Sequence, residues 1–95
     1  MASGVTQKYT GSFVGAAADI DIETCPFQPK RIQLFVNNGG ALEQGYKDEE
    51  MSGDAYLSTT SGADAGVTIN SDGFTVANGA DVNVAGQTVY FECEG

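Results

Sequence analysis

Gly66-Val67-Thr68-Ile69-Asn70-Ser71-Asp72-Gly73-Phe74-Thr75-Val76 alternates apolar and polar residues on both sides of Ser71-Asp72-Gly73. After Asn78-Gly79 the same period of two resumes in Asp81-Val82-Asn83-Val84, and after Ala85-Gly86 in Gln87-Thr88-Val89-Tyr90-Phe91. Alternation broken by Asp-Gly and Asn-Gly is the pattern of short strands joined by tight turns, because Gly and Asn tolerate the positive φ that such turns require. Working outward, the spacing predicts further strands over residues 5–14 (bent at Gly11), 18–23, 30–36, 41–47 and 55–60. In the closing third it predicts 66–70, 74–77, 81–84 and 87–93. Turn-forming residues fall between them, at Asn37-Asn38-Gly39-Gly40, Ser52-Gly53-Asp54 and Ser61-Gly62-Ala63-Asp64.

Only Asp48-Glu49-Glu50-Met51 has even a brief helical look, and it reads better as an acidic loop. The expected fold class is therefore all-β, a single-domain antiparallel β-sandwich, jelly-roll-like, of about 7–9 short strands. A flexible arm is expected over residues 1–8 and the sandwich over 9–95. The inward residues are expected to be Ile20, Ile22, Ile32, Leu34, Val36, Tyr56, Val67, Ile69, Phe74, Val76, Val82, Val84, Val89 and Phe91, with Tyr9 and Phe13 as anchors on the first strand. Asp72, Gly73 and Phe74 form the central turn and its first core residue.

Thirteen acidic residues against four basic ones give a formal charge of −9 in a chain of 95 residues. That balance repels nucleic acid and anionic membranes and suits a basic or mixed protein surface. A domain of this size buries only about 60–65% of its unfolded surface, so a partner subunit is a natural source of added stability. No stretch has the apolar length of a membrane span or a secretion signal, so synthesis and retention in a reducing cytosol are expected. Cys25 and Cys93 are then expected as two free thiols, Cys93 facing inward on the last strand. A bridge between the first and last parts of a sandwich is also geometrically open, and by chain entropy it would contribute about 4 kcal/mol.

The chain contains no His, so the commonest general base is missing, and no Gly-rich loop opens a helix. No enzymatic activity, cofactor or metal is expected. Asp19, Asp21 and Glu23 alternate with Ile20 and Ile22, which would set three carboxylates about 6.6 Å apart on one strand face. That face is either solvated or an acidic stripe that meets a basic neighbour. Asp48-Glu49-Glu50 with Asp54 does not match a calcium loop and reads as solvated. Lys30 and Arg31 open a strand, Arg31 opposite in direction to Ile32 and available to a salt bridge with the acidic stripe or to an external contact. Tyr90 points away from Val89 and Phe91, which makes it a candidate interface residue.

The order of these motifs resembles a small β-sandwich module of tailed-bacteriophage virion structural proteins. The resemblance runs from Tyr9-Thr10-Gly11 through Cys25-Pro26-Phe27-Gln28-Pro29-Lys30-Arg31-Ile32 and Met51-Ser52-Gly53-Asp54 to the two closing segments quoted first. Its most specific parts are Asp72-Gly73-Phe74-Thr75-Val76, then Val82-Asn83 and Gly86-Gln87-Thr88-Val89-Tyr90. The resemblance implies a virion structural protein without catalytic residues. For a single acidic domain with no coiled-coil stalk, it implies a capsid decoration (cement) protein. Such a protein would be made in the host cytoplasm and bound to the major capsid protein on the virion surface, as a homo-oligomer (dimer or trimer). A carbohydrate- or receptor-binding domain of a tail fibre or spike, or a tail or connector subunit, is the alternative. The candidate partner interface comprises Asp19, Asp21, Glu23, Lys30, Arg31 and Tyr90.

Overall fold

The computed structural model describes residues 7–95, and these form nine antiparallel strands in two stacked sheets. The strands are β1 (Lys8–Val14), β2 (Ile20–Ile22), β3 (Arg31–Asn38), β4 (Ala41–Asp48), β5 (Ala55–Ser58), β6 (Gly62–Ala65), β7 (Val67–Asn70), β8 (Gly73–Val76) and β9 (Thr88–Glu94). The larger sheet has the order β1-β9-β3-β4-β5-β6 and the smaller one β2-β8-β7. First and last strands are neighbours over their whole length, from Lys8 opposite Glu94 to Val14 opposite Thr88. Most of the expected arm, residues 1–6, and the expected strand start at Val5 lie outside the described residues. Gln7 and Lys8 do not belong to an arm: the Gln7 carbonyl accepts from the Gly95 N–H at 3.0 Å, and Lys8 opens β1.

The core follows the alternation. Ile32, Leu34 and Val36 of β3, Val89, Phe91 and Cys93 of β9, and Tyr56 of β5 face the smaller sheet and are buried. From that sheet Val67, Phe74 and Val76 meet them. Phe74 stands edge-on to Phe91 with ring centroids 5.1 Å apart, and Phe13 and Tyr9 flank Phe91 at 6.3 and 5.7 Å. Ile20, Ile22 and Ile69 are only half-buried, because β2 and β7 are the two edges of a sheet three strands wide.

Two glycines are required by what approaches them. Gly11 lies opposite Phe91, whose ring would sit 2.8 Å from an added Cβ, so the residue marks ring-on-backbone packing and not the bend expected there. Gly73 has φ 152°, and an added Cβ would fall 1.7 Å from the Ile22 carbonyl oxygen. The turn itself is Ser71-Asp72, since Asn70 pairs with Gly73, so the glycine opens β8 instead of sitting in the bend.

Residues 81–84 do not form the expected strand. Residues 77–87 close as consecutive turns, with Ala80 N–H donating to Ala77 O, Asn83 N–H to Ala80 O and Gln87 N–H to Val84 O. Local bonds of this kind satisfy the backbone without a ladder. The alternation survives for a different reason. Val82 drops into the core over Gly45, whose missing side chain leaves the room: an added Cβ there would lie 2.7 Å from Val82 Cγ1. Asn83 is buried, donates from its side-chain amide to Ala18 O and Ala77 O, and accepts from Ala16 N–H. Val84 is consequently half-buried. Conversely, most of the turn expected at 61–64 belongs to β6, Gly62–Ala65, which pairs with β5.

Candidate binding surface

The sandwich has two outer faces, and their chemistry differs. On the smaller sheet, Asp21, Thr75 and Asn70 share a polar row, in which Asn70 Nδ2 donates to Thr75 Oγ1 at 2.9 Å and Thr75 Oγ1 to Asp21 Oδ1 at 2.7 Å. Asp19 accepts from the Asn78 N–H at 2.8 Å. Of the expected three-carboxylate stripe, only Asp21 lies within a strand. Asp19 and Glu23 flank the short β2, and two of the three carboxylates are engaged internally. The stripe is exposed, as the alternation implied, but part of its acceptor capacity holds the β2 edge to β8 and the 77–87 turns.

The outer face of the six-stranded sheet is different. Its N-terminal end of β3 is a charged row in which Arg31 Nε meets Asp48 Oδ2 at 3.3 Å and Arg31 Nη1 meets Glu94 Oε1 at 3.5 Å. Lys8 Nζ lies 3.4 Å from Glu92 Oε1. These pairs are solvent-exposed and hold orientation more than energy. The Glu50 N–H, then Arg31 and Tyr46, hold the Asp48 carboxyl below its ordinary value. Arg31 thus has carboxylate partners, Asp48 and Glu94, that differ from the acidic stripe. Lys30 is exposed, and its backbone bonds Glu94 O and Glu49 N.

Toward the β3–β4 hairpin the same face carries apolar side chains among polar ones, Ser12, Asn37, Gln44 and Thr88. Among the described residues the four large exposed hydrophobics are Val14 at 61%, Leu42 at 67%, Leu57 at 47% and Tyr90 at 61%. All four point outward from this one sheet, because their neighbours Phe13, Glu43, Tyr56, Ser58, Val89 and Phe91 alternate inward. Phe35, directly opposite Tyr90 on the adjacent strand, extends the patch. Together with Leu42, Gly40 and Ala41 these rings border a shallow groove of about 290 Å³ at the β3–β4 hairpin end. The groove stays open because the hairpin tip is Gly39-Gly40, both with positive φ, braced by Asn37 Oδ1 accepting from Gly40 N–H at 2.8 Å. Nothing bulky then projects beside Leu42.

Tyr90 is where the alternation of β9 puts it. The sequence reading missed Phe35, Leu42, Leu57 and Val14, although the signal was present. Once Leu34 and Val36 are inward, Phe35 must face out, and the same parity sends Leu42 out beside it.

Other polar side chains are committed to the fold. Lys47 is buried, and its ammonium donates to Met51 O, Gly53 O and Ala55 O at 2.8, 2.9 and 2.7 Å. The acidic loop after β4 is therefore wound around a cation supplied by its own chain. Burial pulls the Lys47 ammonium below its ordinary value, and nearby Asp54 opposes this. Glu43, also buried, accepts from the hydroxyls of Thr59 and Thr60. Tyr56 Oη donates to Asp64 Oδ2 at 2.7 Å and accepts from Asp81 N–H at 2.9 Å, and Ser58 and Ser61 donate to Asp81 Oδ2. Burial and Asp64 push the Tyr56 hydroxyl well above its ordinary value. Asp64 and Asp81 are thus a second pair of acids that the fold brings together, besides Asp48 and Glu94 at Arg31, and both act as acceptors that fasten the 77–87 turns to β5 and β6.

An apolar patch that no described residue covers, next to an ordered row of charges, is suited to adhesion: rings and aliphatic side chains bury area, and the charges fix orientation. Comparison of the chain with known proteins found no matching family model, curated protein or solved structure.

Proposed function

We propose that this chain is a non-enzymatic virion structural protein, a capsid decoration protein that docks on the lattice of the major capsid protein and stabilises the head. The observation that carries the reading is the collection of Val14, Leu42, Leu57, Tyr90 and Phe35 on one face of the larger sheet that no described residue covers. A folded domain gains nothing by itself from exposing that set, and a partner that covers it gains area from each. The motif resemblance supplies the partner. The compact form, with a radius of gyration of 12.7 Å, fits a unit that repeats over a lattice. A copy seated across a junction between capsid subunits binds the joined state and not the separated one, so it stabilises the junction by mass action.

In this reading the docking face differs from the residues first picked out as an interface. Tyr90 stays central, Arg31 orients the rim, and Asp19 and Asp21 serve the fold. The test is reconstitution of heads lacking the protein with purified wild type, Tyr90→Ser and Leu42→Ser. Both residues are exposed, so melting temperatures should barely change. Lost burial of either side chain should weaken occupancy roughly ten- to a hundredfold, and undecorated heads should release DNA at lower temperature. Full occupancy by both variants would reject the face. Heads that neither bind the wild-type protein nor change in heat resistance would reject the capsid role.

A further inference from the structure

We propose that Cys25 and Cys93 are a built disulfide site, which closes when the folded protein meets a small-molecule disulfide such as oxidised glutathione. Among the described residues these are the two thiols, both buried in the same apolar cluster. They come from distant parts of the chain. Cys25 lies in the β2–β3 connection, where its N–H donates to Asp72 O at 2.9 Å, and Cys93 lies on β9 between Tyr9 of β1 and Ile32 of β3. Tyr9, the cross-strand partner of Cys93, hydrogen-bonds through its hydroxyl to Thr24, the residue before Cys25, so the two cysteine segments are fastened together beside the shared cluster. A bond between the two sulfurs therefore ties the β2–β3 connection, which is held to the β7–β8 turn of the smaller sheet, to an inner strand of the larger one. The backbone on both sides is already held: Cys25 by the β7–β8 turn, Cys93 by two ladders.

The two thiols differ in access. Cys25 is flanked by exposed Thr24 and Pro26, whereas Cys93 is fully enclosed and its thiol is pushed up to about 12, first by burial and then by Cys25. Local opening of the β2–β3 connection thus presents Cys25 as the first nucleophile. Its thiolate attacks one sulfur of glutathione disulfide; that S–S bond breaks and one glutathione thiolate leaves, taking up the proton Cys25 lost. Cys93 then attacks the Cys25 sulfur of the mixed disulfide. The protein S–S bond forms, the second glutathione departs, and it carries the Cys93 proton. The protein thiols lose two electrons in all and the small disulfide gains them. This site is independent of the docking face and stands whether or not the decoration reading does.

The experiment uses the full chain, incubated with oxidised glutathione or with a phosphine reductant and followed by intact mass, thiol titration in denaturant and thermal melting. Expected is a monomer lighter by two hydrogen atoms, with no titratable thiol. Its Tm should be raised on the order of 15–30 °C over the reduced form, as for a cross-link that closes nearly the whole of a small domain. Cys25→Ala should lose the difference between the two treatments. Stable glutathione adducts, interchain dimers, two thiols still free after prolonged oxidation, or a bridge without a rise in Tm would each overturn the proposal.

Discussion

The placement of Val82 against Gly45 decides whether residues 77–87 are a plug or a strand, and a double-mutant cycle tests it. In Gly45→Ala the new methyl would begin 2.7 Å from Val82 Cγ1, with Tyr56 Cε2 at 3.3 Å and Leu34 Cδ1 at 3.5 Å behind it. Ordinary carbon contacts sit at about 3.5–4.0 Å, so the overlap with Val82 is about 1 Å. Overpacking of this kind costs about 1–3 kcal/mol, and the lower unfolded-chain entropy of Ala returns about 0.5–1, which leaves a net loss of about 1–2 kcal/mol. Val82→Ala removes two fully buried methyl groups, about 1.6 kcal/mol in transfer and about 2–3 with the cavity. Independent effects would sum to about 3–5 kcal/mol. In the double variant the methyl added at position 45 instead occupies space that Cγ1 vacates, so the loss should be about 1–2 kcal/mol and the coupling about 2. Urea denaturation resolves this, because 2 kcal/mol moves the midpoint by about 1–2 M for a small domain. Losses that add to within about 0.5 kcal/mol would mean that the two side chains do not meet, and the plug would be refuted.

Phe74→Ala removes the ring that stands edge-on to Phe91 and joins the two sheets; a loss of about 3–5 kcal/mol is expected, against a total of about 5–15 for a domain. A thermal midpoint near wild type by circular dichroism would place the core elsewhere. Acid should unfold the protein through Glu43 and Asp64. For both, burial acts to raise the value, but donors outweigh it (Thr60 and Thr59 for Glu43, Tyr56 for Asp64), so each ends below its ordinary 4.5 or 3.8. The folded state then binds fewer protons than the unfolded one, so this stability is present above the ordinary values and is lost as pH falls through the lowered ones. Urea midpoints that stay level or rise from about pH 5 to about pH 2.5 would contradict it, and Glu43→Gln should shallow the fall.

β-Alternation made edge strands such as β1, β2 and β7 legible as well as central ones, and it fixed the inward residues best in the central ones. β3 and β9 sit between two ladders each, and their inward residues were read correctly from Ile32 to Phe91. The misreading of 81–84 has a definite cause: Val82 and Asn83 alternate in polarity but are both buried, because a series of turns sends one side chain into the core and folds the other onto backbone carbonyls. Period two alone does not distinguish that from a ladder. β6 was missed because Gly62-Ala63-Asp64-Ala65 has almost no apolar content, and its pairing is dictated by β5 and by Tyr56 reaching Asp64. The candidate surface was half legible. Tyr90 followed from parity, whereas Leu42 and Leu57 became a patch only once β4 and β5 were known to lie in the same sheet as β9.

The unequal sheets explain where the polar residues went and why the exposed apolar patch lies where it does. Six strands cannot be covered by three, so the inner side of β4, β5 and β6 must be covered by something else, and the 77–87 turns do it. Turns carry unpaired backbone groups, and covering a sheet with them demands buried acceptors and donors. Asp81, Tyr56, Asp64, Ser58 and Asn83 meet that demand, and Lys47 meets it for the adjacent loop. The inner side of the larger sheet is thereby fully used, by core residues at one end and by this network at the other. Its outer side has no element of the described chain to cover it, yet it carries aromatic and aliphatic side chains where the smaller sheet carries Asp21, Thr75 and Asn70. In a chain with 13 acidic residues, an outward patch of Val14, Tyr90, Phe35 and Leu42, staggered over two cross-strand rows, requires an explanation beyond solubility, and the docking proposed above supplies one.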